Sequence, residues 1–108
     1  MTSPIIACPM CAGPVALVGT EVSCLIGHDF APDDLIAAIE DAAARALWSA
    51  VRSLEDTVTG ARWRMTLASP SPSLPQTIEQ AEREANLLRE LLSQREASTA
   101  TNTRPERW

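Results

Sequence analysis

The sequence contains no lysine; all nine cationic side chains among its 108 residues are arginines. Residues 1–30 lack even these, and Glu21 and Asp29 are the only charged side chains there. A segment without cations repels phosphate rather than collecting it. No apolar run approaches the roughly 18–20 residues needed to cross a bilayer. No basic segment precedes an apolar one at the start, and Pro4, Pro9 and Pro14 interrupt the apolar residues there, so no secretory signal is read. Histidine occurs once, as His28. No Ser-His-Asp grouping, phosphate loop or paired-carboxylate spacing stands out, so catalysis is not expected. These absences lead to the expectation of a cytoplasmic protein with no membrane span, for which nucleic acid is a disfavoured partner. The formal charge of −5 points the same way.

Cysteine occurs three times, an odd number that rules out complete intramolecular disulfide pairing. All three thiols and the single histidine fall between residues 8 and 28: Cys8-x2-Cys11, then Cys24-x3-His28. Three thiolates and an imidazole are the number and kind of ligands that a closed tetrahedral zinc site takes. The spacing therefore predicts structural zinc held by Cys8, Cys11, Cys24 and His28, in a reducing compartment. A closed shell stabilises a fold and does not activate water. Two other readings stand beside it. A catalytic zinc needs an open position and a nearby base, and only Glu21 and Asp29 are at hand. A redox Cys-x2-Cys usually lies in a βαβ pattern, which is absent here.

The fold class expected is small α+β: an N-terminal zinc-ribbon β-hairpin, then a long antiparallel two-helix hairpin completed by oligomerisation. Residues 1–31 form the ribbon, 32–97 the helices with a turn at about 69–75, and 98–108 a disordered tail. Within the ribbon, residues 15–18 are expected to pair with 21–24 across a Gly19-Thr20 turn, with 1–7 as an entry segment. Gly13 is the residue expected to take the positive φ that closes the first knuckle.

Beyond Pro32, apolar residues recur in steps of three and four from Leu35 through Ile39, Leu47, Leu54 and Val58 to Met65, the period of a helix with one buried stripe. This predicts one helix over about 32–68. Three prolines between Ser69 and Pro75 end it, and Ile78, Ala81, Ala85, Leu88 and Leu92 mark a second helix starting at Pro75. At about 1.5 Å per residue that helix reaches back only to about residue 45. Leu35, Ile36, Ile39 and Ala43 then need a cover, either the ribbon or another chain.

The candidate interaction residues are Leu35, Ile39, Trp48, Leu87, Leu88, Leu91 and Leu92. The four leucines are more than one facing helix requires, so they either bury against the first helix or form an oligomer seam. Trp48 and Trp63 share a helix face. They are read first as packing, Trp63 near Leu74 and Ile78, and second as partner anchors.

A wider pattern resembles a known family. Cys8-Pro9-x-Cys11-x-Gly13, Cys24 with Gly27-His28, Pro32, then Ala46-Leu47-Trp48 with Arg52, Leu54 and Glu55 are similar to the zinc-ribbon and helical tail that follows the catalytic domain of some bacterial CheB-type chemotaxis methylesterases. The likeness covers about residues 7–68. It implies the same four zinc ligands and a role in regulation or partner docking. Those enzymes carry their serine, histidine and aspartate in a preceding α/β domain, none of which lies in these 108 residues, so no catalytic residue carries over. The function expected is a non-catalytic zinc-stabilised interaction or regulatory module, linked to bacterial signalling. It would be a homo-oligomer or bind a protein partner through its helices. The alternative is a zinc-ribbon nucleic-acid-binding or transcription-regulatory protein.

Overall fold

A computed structural model describes residues 3–102, and the side chains of 3–98. The fold is small α+β, two short antiparallel hairpins followed by two long helices that pack on each other. The chain divides into two compact units, Met1–Arg45 and Ala46–Trp108.

In the first unit, β1 (Ile5–Ala7) pairs with β2 (Pro14–Ala16), Ile6 opposite Val15. β3 (Val22–Ser23) pairs with β4 (Asp29–Phe30), Val22 opposite Phe30. Each hairpin thus closes around one ligand pair. The pairing of 15–18 with 21–24 does not form, and residues 5–7 are a strand rather than an entry segment. The cause lies in two amide groups. Leu17 donates its N–H to the Pro4 carbonyl at 2.8 Å, continuing the β1–β2 ladder, and Val18 donates to the Ala16 carbonyl at 3.1 Å in a tight turn. Neither donor remains for β3.

The core of this unit is Cys8, Val15, Val22, Cys24 and Leu35, with Ile6, Leu17, Phe30 and Ile39 packed around it. The ribbon itself therefore covers Leu35, which is 4% exposed, and half-buries Ile39; Ile36 stays 55% exposed. No second chain is needed over the first two of these.

Helix α1 spans Pro32–Met65 and opens with Asp33 and Asp34 at the positive end of its dipole. The Leu35 N–H donates to the Ala31 carbonyl at 2.9 Å, and Pro32 sits where no helical donor is required. The helix ends three residues earlier than the apolar period suggests. Arg64 donates to the carbonyls of Ala68 and Ser69 at 3.2 and 3.1 Å, and Ser69 adopts φ 52° ahead of Pro70. Helix α2 spans Leu74–Asn102. It runs five residues beyond the expected end at 97; the remainder of the expected tail, residues 103–108, lies outside the described residues.

In the second unit, Val51, Val58 and Ala61 of α1 are buried, as are Ala81, Ala85 and Leu92 of α2. Alanines at the contact let the axes approach closely. Arg62 pairs with Glu82 at 3.4 Å and Glu55 with Arg89 at 2.5 Å. Seven residues up α1 match seven down α2, which is the antiparallel register.

Candidate metal centre

The two hairpins end in turns that aim side chains inward. Cys8 directly follows β1 and Cys24 directly follows β3. In the first turn Cys8 donates its N–H to the Gly13 carbonyl at 2.7 Å, and Ala12 donates to the Cys8 carbonyl at 2.8 Å. In the second, Cys24 donates to the His28 carbonyl and Gly27 to the Cys24 carbonyl, each at 3.1 Å. Backbone N–H groups also reach the sulfurs: Met10 to Cys8 Sγ at 3.5 Å and His28 to Cys24 Sγ at 3.4 Å.

Gly27 takes φ 94°, as its tight turn requires. In the first turn the left-handed residue is Ala12, at φ 65°, and not Gly13. The chain reverses immediately after Cys11, one residue earlier than the glycine suggests. Gly13 instead packs close to Cys11, whose Sγ would lie 3.5 Å from an added Cβ.

Cys8, Cys11, Cys24 and His28 converge, with their ligand atoms all within 4.8 Å of one another. Cys11 Sγ lies 3.7 Å from Cys24 Sγ; His28 Nδ1 lies 3.7 Å from Cys8 Sγ and 3.3 Å from Cys24 Sγ. A tetrahedral shell with metal–sulfur bonds of about 2.3 Å and a metal–nitrogen bond of about 2.1 Å has edges of roughly 3.6–3.8 Å. These four residues are therefore placed to hold a metal ion. All three cysteines are free thiols; Cys8 and Cys24 are buried and Cys11 is exposed.

The electrostatics suit a cation. Burial raises the Cys24 thiol, but the N–H groups of His28 and Ile26 and the side chains of Cys11 and His28 outweigh it and bring the pKa to about 6. Cys8 is also lowered: burial again opposes, and the N–H groups of Met10 and Cys11 prevail. Hydrogen bonding to Cys8 and Cys24 raises His28. Cys11 gains from the Gly13 backbone, yet burial and the sulfurs of Cys8 and Cys24 hold it above the ordinary thiol range. In the absence of a metal, negative charge thus settles first on Cys8 and Cys24. A metal ion would take the place of the remaining protons.

Arg45, which is not among the residues singled out from the sequence, pairs with Asp41 and donates to the Pro9 carbonyl at 3.5 Å, tying α1 to the first knuckle. The i,i+4 spacing of Asp41 and Arg45 was its only sequence signal.

The interaction candidates divide. Leu35 and Leu92 are buried within the chain, at 4% and 2% exposure, and so belong to its own cores. Ile39 and Leu88 are half-buried. Leu87, Leu91 and Trp48 remain exposed. Trp63, expected near Leu74 and Ile78, is 63% exposed. It lies two residues past the buried Ala61, roughly 200° around the helix, and faces away.

Among the described residues no helix is long and apolar enough to cross a membrane. Compared with known protein families, with curated proteins and with solved structures, the chain has no match in any of the three.

Proposed function

We propose that this chain is a non-catalytic, zinc-stabilised interaction module. The observation that carries this reading is the convergence of one histidine nitrogen and three thiols from two separate turns, within 4.8 Å. Zinc suits the set: soft thiolates with one imidazole, three of whose separations lie at 3.3–3.7 Å, select it over oxygen-seeking cations. When bound, it would join the two hairpins and neutralise thiolates that otherwise repel. Cys8 and Cys24 belong to the apolar core, so holding the metal and covering Leu35 are one task.

The helices supply the surface for a partner. Leu87, Leu91 and Trp48 are too exposed to serve the chain's own core, which supports docking of a protein, another copy included. Unoxidised thiols suit a reducing, cytoplasmic setting. The likeness of Cys8 to Glu55 to the tail of CheB-type enzymes supports a place in bacterial signalling. The test is native mass spectrometry of protein purified without added metal. One zinc per 11.6 kDa chain, lost on Cys24→Ser, is the expected result. A metal-free chain with its hairpins intact would overturn the reading.

A further inference from the structure

The two flanks of the helical hairpin differ. One carries the ion pairs Glu55–Arg89 and Arg62–Glu82. The other holds a groove of about 450 Å³ lined by Ala50, Ser53, Leu54, Glu84, Leu87 and Leu88. Along α2, this second flank carries Glu84, Leu88, Leu91 and Arg95. Their spacing of four, three and four keeps them on one stripe. The order is acid, leucine, leucine, base. Laid antiparallel on itself, the stripe sets each glutamate against an arginine and each leucine against a leucine. Laid parallel, it sets glutamate on glutamate.

We infer that the occupant of this flank is a second copy of the chain, docked with the two α2 helices antiparallel about a two-fold axis between Arg89 and Glu90. Leu88 then meets the second copy's Leu91, and Glu84 the second copy's Arg95, each contact occurring twice. Leu87, 61% exposed at the groove, gains cover. Arg95 has a partner within its own chain, and the five donors of a guanidinium allow it a carboxylate as well. This deepens the docking reading above by naming its occupant and register.

The experiment is a charge swap read by analytical ultracentrifugation of the full metal-loaded chain across a concentration series. Glu84→Arg and Arg95→Glu should each weaken the dimer about tenfold, since each converts two attractive pairs into repulsive ones. The double variant should recover to within about threefold of wild type. Leu88→Asp should give monomers; circular dichroism and zinc content unchanged from wild type show that such a variant is folded. A wild type that stays monomeric overturns the second copy as occupant. A wild-type dimer whose double variant is as weak as the two single changes combined overturns the register. Both leave the metal centre standing, which fails only by the zinc measurement above.

Discussion

The two units of this chain reach order by different means. The first has ten strand residues in two separate ladders, and two of its five core residues, Cys8 and Cys24, are candidate metal ligands. The second has continuous helical hydrogen bonding, six buried aliphatic residues and a rim of ion pairs. Short hairpins are marginal alone, whereas long helices with a packed stripe are not. The order of the first unit should therefore depend on the metal, and that of the second should not.

The largest effect should come from the ligands. A structural zinc contributes on the order of 10 kcal/mol to folding, comparable to the whole stability of a domain. Chelation, or Cys24→Ser, should collapse the amide dispersion of residues 4–30 in NMR spectra while the helical circular dichroism changes little. The converse change is Leu92→Ala, in the second unit. It should cost about 2–4 kcal/mol in denaturant unfolding of the helices and leave metal binding untouched.

Acid should divide the units again. Cys24 is lowered to about 6, so it is a ready thiolate above that pH. A bound metal outcompetes the proton for that sulfur, so release comes only below this value. Metal retention measured with a colorimetric chelator should therefore hold at about pH 6 and fall at lower pH, while the helices, which carry none of the four candidate ligands, keep their circular dichroism. A smaller effect tests the first knuckle. Ala12→Gly removes a left-handed alanine and should stabilise the metal-loaded head by about 0.5–1 kcal/mol in thermal melts. Smallest of all, Glu55→Ala should cost the helices less than about 1 kcal/mol, because both partners of the Glu55–Arg89 pair are substantially exposed.

The convergence of the four candidate ligands was legible in the sequence because their spacing is covalent information. Two residues between Cys8 and Cys11, and three between Cys24 and His28, permit convergence only through tight turns. The helices were legible because a four-and-three period over more than thirty residues has no other reading. The strand pairing was not. It turned on which carbonyl receives the Leu17 amide, a choice that leaves no mark on residue type. The same is true of Ala12, whose φ is set by where the chain reverses after Cys11, although a glycine stands next to it. The cover over Leu35 had two candidates by length alone, and only packing could choose the ribbon.

The measurement that bears most directly on this account is hydrogen–deuterium exchange, with and without a chelator. With metal, the amides of Cys8, Leu17 and Cys24 should be protected alongside those of Val51 to Ala61. Without it, the first group should exchange at near-unfolded rates while the second stays protected. Equal protection of the head in both conditions would contradict the claim that the metal holds it.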